Sequence, residues 1–267
     1  MPTVSVRGVE LHYEEKGSGR PVVFLHGVWM SGRFFAKQLG PVGERFRAIL
    51  LDLRGHGRSE KTESGHTVPE YAADLRAFLE ALDLRHAVLV GWSMGTFVIW
   101  EYVKEFGTKG IAGTVVVDES ASDFGWDDWP NGIVTPEMLR DLNEGVQSDR
   151  ETLIRHFIPL MFKDDVAPED VEWMAAEMAA PPAGVASAIL VDQTLRDYRN
   201  DLGKVDVPTL VAFGADEKLL PVAAGVHLVE HLPNARLVVF GDSSHCPFLE
   251  EPDRFNAEVI AFVDSIA

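Results

Sequence analysis

The chain has 267 residues, 46% of them hydrophobic and 25% charged, which excludes a disordered or low-complexity polypeptide and allows one or two domains. Acidic residues outnumber Lys and Arg by 42 to 24, a formal net charge of −18. A field of that sign repels phosphate backbones and anionic lipid, so neither nucleic acid nor a membrane surface is an expected partner.

Taken in order, the chain opens with two alternating segments, Thr3–Arg7 and Glu10–Glu15, joined at Gly8 and predicted to form a hairpin. Strand-like apolar runs follow at Pro21–Leu25, Arg47–Leu51, Ala87–Val90, Thr114–Val117, Thr209–Phe213 and Arg236–Phe240. Their near-continuous Val, Leu, Ile and Phe content suits strands covered on both faces. Helical patterns lie between them at Tyr71–Leu82, Phe97–Phe106, Val222–Leu232 and Arg254–Ile266. The expected fold class is α/β: a mostly parallel eight-stranded sheet with helices on both faces. From Ser120 to about Lys204 there is no strand pattern. That stretch carries helical pieces at Pro136–Val146, Arg150–Phe162, Pro168–Ala179 and Gly184–Arg199, after a Trp-, Asp- and Gly-rich run at Asp123–Gly132. The expected division is a core of residues 1–119 and 205–267 with a helical cap at 120–204. A cap leaving from the carboxyl ends of the strands would roof the ligand site of such a sheet.

The N-terminal stretch has no basic segment followed by an apolar one, and no run approaches the roughly 18 apolar residues of a membrane span, so a cytoplasmic location is expected. The lone Cys246 excludes an intrachain disulfide and a cysteine-based metal cluster.

The strongest chemical signal is Gly91-Trp92-Ser93-Met94-Gly95, between a buried strand and a helix. Gly-x-Ser-x-Gly in that setting is a nucleophile elbow: the serine sits on a tight, strained turn and the glycines let neighbouring elements approach. A nucleophilic serine needs a base, and His245 follows the last strand at the same sheet edge. It also needs oxyanion donors. The N–H after the nucleophile, Met94, and that of Val28 in His26-Gly27-Val28-Trp29-Met30 are the expected pair. His26 is expected to support that loop. Trp29, Trp92 and Met94 adjoin these loops and are expected at the substrate pocket, with the cap aromatics mostly core.

The arrangement resembles the α/β-hydrolase superfamily over essentially the whole chain. The likeness rests on His26-Gly27, Asp52-Leu53-Arg54-Gly55-His56-Gly57-Arg58-Ser59, the elbow at Ser93, and His245. The Asp52–Ser59 loop is structural in that family. The resemblance leaves three candidates for the acid that orients His245: Asp118 first, at the end of the sixth strand, then Glu217 and Asp216 after the seventh. It implies a serine esterase or lactonase acting on a small-molecule ester or lactone, acylated lactones included, without cofactor or metal. Cofactor-free perhydrolase (haloperoxidase) or carbon–carbon hydrolase chemistry on the same triad is the alternative. A ligand receptor on a hydrolase fold is the rival of another class. A carboxylate-nucleophile reaction is disfavoured because position 93 is Ser. His227-Leu228-Val229-Glu230-His231 matches an inverted zinc motif but has no third ligand in view, and Cys246 reads as a small buried hydrophobe. An exposed apolar patch on the cap is the route to a homodimer.

Overall fold

The apolar runs become one eight-stranded sheet in the computed structural model, which describes residues 2–216 and 218–266. The strands are β1 (Thr3–Val6), β2 (Val9–Lys16), β3 (Pro21–Leu25), β4 (Arg47–Leu51), β5 (Ala87–Trp92), β6 (Ile111–Val117), β7 (Thr209–Gly214) and β8 (Ala235–Phe240). Their spatial order is β1-β2-β4-β3-β5-β6-β7-β8. The β1–β2 and β2–β4 pairs are antiparallel and all the others parallel. β3, β5 and β7 are buried along their whole length, as their unbroken apolar sequence requires.

The helices are α1 (Ala36–Gly43), α2 (Val68–Ala81), α3 (Met94–Phe106), α4 (Pro136–Ser148), α5 (Arg150–Phe157), α6 (Pro168–Ala179), α7 (Ala183–Thr194), α8 (Val222–His231), α9 (Pro247–Glu250) and α10 (Pro252–Ser265). α2 and α4 start on Thr67 and Thr135, whose side chains accept the N–H of Glu70 and Met138. The sequence gives no warning of α1. Gly40, Pro41 and Gly43 punctuate it, yet burial of Phe34, Phe35 and Val42 overrides local propensity. The helix expected over Arg150–Phe162 stops at Phe157 and runs on as a 3₁₀ turn, Ile158–Met161, because Pro159 has no N–H to donate.

Between β6 and β7 the chain builds α4–α7 with only an isolated Phe124–Val134 bridge. These helices are fastened to the sheet side by specific bonds. Trp29 Nε1 donates to Ala186 O at 3.0 Å and Ser31 Oγ to Glu177 at 2.7 Å. Val68 N donates to Asp192 at 2.8 Å, and Tyr198 OH to Glu101 at 2.7 Å. No single helix among the described residues is long and apolar enough to cross a membrane.

Candidate active site

β5 ends into α3 through Ser93, which holds φ 52° and ψ −127°. A non-glycine residue there is strained and persists only where the surroundings dictate it. The flanking glycines show what dictates it. A Cβ on Gly95 would lie 2.2 Å from Leu25 O, and one on Gly91 2.6 Å from Gly95 C, so any side chain would prise α3 from β3 and β5. Ser93 is partly exposed while Trp92 and Met94 are buried. Met94 is the first residue of α3, so its N–H belongs to the unsatisfied, electropositive helix start.

The loop after β3 abuts this turn. A Cβ on Gly27 would already lie 3.4 Å from Ser93 Cβ. His26 fixes the loop: one ring nitrogen pairs with Gly27 O at 2.8 Å and the other accepts Leu53 N–H at 3.1 Å. Burial pushes its pKa down, so the ring is neutral and serves as a brace. Asp52 anchors the next loop. Its carboxylate accepts Gly32 N–H at 2.7 Å and Arg58 N–H at 2.8 Å and pairs with His12 at 3.0 Å. Burial alone pushes the Asp52 pKa up, but these bonds hold it below the usual range.

His245 follows β8 and is 3% exposed. Its ring packs against Trp92 at 5.6 Å between centroids. With Ser93 it lines a cavity of about 100 Å³ under the cap. Val28 and Trp29 line the same cavity, as do Phe157 and Leu190 of the cap. Trp29 carries a positive φ of 65°. Trp92 and Met94, expected at the pocket, do not line it. Trp92 lies beneath, among Phe34, Phe35 and Phe248, with its indole N–H on His245 O at 2.9 Å. Among the aromatic residues between β6 and β7, expected to be mostly core, Phe157 reaches the cavity.

The three candidate acids have different fates. Asp118 is fully buried at the end of β6 with φ 43°, and its Oδ2 accepts Gly214 N–H at 2.9 Å. Gly214 itself lies against the Ser243–Ser244 backbone that leads into His245. Asp216 turns outward, its carboxylate 2.9 Å from Lys163 and 52% exposed. Glu217 lies outside the described residues.

Two carboxyls that sequence reasoning passed over enter the cavity wall: Glu119 and Asp123, both from the loop after β6. They are hydrogen-bonded to each other. Glu119 Oε1 accepts Ser120 N–H at 2.6 Å. Burial pushes Glu119 well above the usual carboxyl range, and the charge of Asp123 adds to it. Burial likewise pushes Asp123 up to about 6, opposed by the bond from Glu119 and by the charge of His245. Burial of the pair therefore favours the state in which one proton is shared between the two carboxyls. The Asp118-Glu119-Ser120 run was visible in the sequence, but nothing in its spacing reveals which carboxyl turns inward.

The other motif residues stay outside the cavity. His227 and His231 stack on one face of α8 at 3.9 Å, and His227 packs edge-on against Trp129 of the cap. Cys246 is buried.

The family model described as the alpha/beta hydrolase family matches residues 22–258. A non-heme chloroperoxidase of Kitasatospora aureofaciens is 32% identical over 276 residues, covering 99% of this chain and 100% of that protein. The solved esterase of Exiguobacterium antarcticum superposes with a TM-score of 0.94 at 25% identity, covering 98% of this chain and 99% of that one. A bromoperoxidase of Bacillus anthracis superposes with a TM-score of 0.92 at 26% identity, covering 96% of each chain. By sequence match and by fold, the chain belongs to the alpha/beta hydrolase family.

Proposed function

We propose that the protein is a serine hydrolase of carboxylic esters, lactones included, working through an acyl-enzyme. The observation that carries this reading is Ser93, held at positive φ on its elbow and sharing one covered cavity with His245. Ser93 attacks the ester carbonyl while His245 takes its proton. The oxyanion is held by the N–H groups of Val28 and Met94. His245 then protonates the leaving alkoxide and activates the water that releases the acid. Asp118 is the described carboxylate best situated to orient His245, being buried and joined through Gly214 to the loop that carries it. The apolar share of the cavity wall suits the acyl group, and Val28 and Trp29 of the oxyanion loop contribute to it.

The test is steady-state hydrolysis of p-nitrophenyl butyrate. Turnover is expected in the wild type, with a loss of roughly four orders of magnitude or more in Ser93→Ala. Equal turnover in both proteins overturns the reading.

The 32% identity to a chloroperoxidase favours a second reaction on the same acyl-enzyme. Hydrogen peroxide replaces water as the attacking group, giving a peracid and free Ser93, with the proton again passing through His245. Peracid formation from acetate and peroxide, abolished in Ser93→Ala, supports it. Ester hydrolysis without peracid formation confines the enzyme to water.

A further inference from the structure

A cavity that served only an alkyl ester would gain nothing from buried polar groups beside its nucleophile, because each must be desolvated. This one has several. Glu119, Asp123 and Gln193 are 2%, 7% and 6% exposed, and all three line the cavity that holds Ser93 and His245. Gln193 comes from α7, on the cap side, and the two acids from the loop after β6. The side-chain Oε1 of Gln193 is buried without a hydrogen-bond partner. Buried acceptors are nearly always satisfied, so an unpaired one on a residue that lines a cavity asks for a ligand.

Gln193 does not fasten the cap. The preceding residue, Asp192, does that, by accepting Val68 N–H at 2.8 Å. Nor do the two acids neutralise each other, since a hydrogen-bonded carboxyl–carboxylate pair keeps one negative charge. Two acceptors therefore belong to residues that line the cavity: the carboxylate of the Glu119–Asp123 pair and the Gln193 oxygen. Such a wall welcomes an O–H or N–H donor and repels a carboxylate.

We propose that the substrate is an ester bearing a neutral hydrogen-bond donor, a hydroxyl or an amide N–H, seated on Asp123 and Gln193 beside Ser93. This rests on the ester-hydrolase reading and narrows its substrate class. Asp123 and Gln193 are specificity residues here, and the reacting carbonyl remains with Ser93 and the oxyanion loop.

The experiment compares matched esters. On the acyl side, p-nitrophenyl 3-hydroxybutyrate is set against p-nitrophenyl butyrate. On the alcohol side, ethylene glycol monobutyrate is set against ethyl butyrate. In at least one pair, kcat/KM of the wild type is expected to favour the hydroxylated ester by about tenfold or more, and the side that responds places the donor. That ratio is expected to fall to near unity in Gln193→Leu. Asp123→Asn is a second variant should the first fail to fold. A ratio near unity in both pairs of the wild type overturns the proposal. So does a ratio that survives both substitutions, or a preference for p-nitrophenyl hemisuccinate over the butyrate. Calorimetric binding of the same esters to Ser93→Ala separates the two levels. Tighter binding of the hydroxylated ester without any wild-type turnover sinks the hydrolase reading and keeps the site. Turnover with no discrimination in rate or binding does the reverse.

Discussion

Trp92 donates its indole N–H to the backbone carbonyl of His245 at 2.9 Å, across 153 residues of chain. The neighbour of Ser93 thus holds the loop of His245 from below. Trp92→Phe keeps most of the packing against Phe34, Phe35 and Phe248 but removes the indole N–H from that carbonyl. A loss of about 1–3 kcal/mol in stability is expected, measured by urea unfolding. On the proposed mechanism the fall in kcat on p-nitrophenyl butyrate is expected to exceed any change in KM, because His245 is mispositioned while the cavity wall is intact. Unchanged kcat would show that the loop is held from elsewhere.

Gly95→Ala tests the elbow. Its Cβ would meet the carbonyl oxygen of Leu25 at 2.2 Å, and backbone cannot swing aside as a side chain can. Destabilisation above about 3 kcal/mol is expected. Gly241→Ala, where a Cβ would meet nothing within 4 Å, is the matched control and is expected to lie near wild type.

The acid is identified by single replacement. Asp216→Ala is expected to change kcat less than about tenfold, because its carboxylate is solvated and paired with Lys163. Asp118→Ala and Glu217→Ala bracket the role. The true orienting acid is expected to lower kcat by about four orders of magnitude. A loss of that size at Glu217 alone would move the role from β6 to the loop after β7 and leave Asp118 as the tie to Gly214 N–H.

The Glu119–Asp123 pair makes stability depend on pH. Asp123 titrates near 6 in the fold, raised mainly by burial, with Glu119 and His245 facing it. The unfolded chain releases that proton near pH 4, so the folded state holds more protons between about 4 and 6. Stability therefore falls as pH rises through that window, and stays lower above it. Asp123 accounts for about 3 kcal/mol at most. Urea midpoints for wild type and Asp123→Asn are expected to diverge on this account, with the variant losing less between about pH 4 and pH 7. Parallel profiles would mean the pair is not held dry.

Strands β3 to β8 were legible because near-continuous apolar runs survive in one dimension, and β1 and β2 because their residues alternate. Ser93 and His245 were legible for a related reason: each is tied to the end of a strand by short local sequence. α1 was not, since Gly40 and Pro41 argue against a helix that only the burial of its neighbours can impose. Nor was the polar wall. Asp123 and Gln193 lie 70 residues apart in the sequence and meet only when the cap folds over the sheet. Trp92 was misplaced because adjacency to Ser93 in sequence does not say which face of a strand a side chain takes. Successive residues of β5 point to opposite sides, and its position puts Trp92 into the core.

The bond from Trp29 to Ala186 makes α7 part of the frame around the site. Trp29 sits one residue beyond Val28, the oxyanion donor of the proposed mechanism, and its indole is fixed to α7 of the cap. Through that bond the loop that carries Val28 is braced by α7 as well as by the sheet. Replacing Trp29 by Phe is thus expected to loosen the proposed oxyanion loop from the cap side, without touching Ser93 or His245.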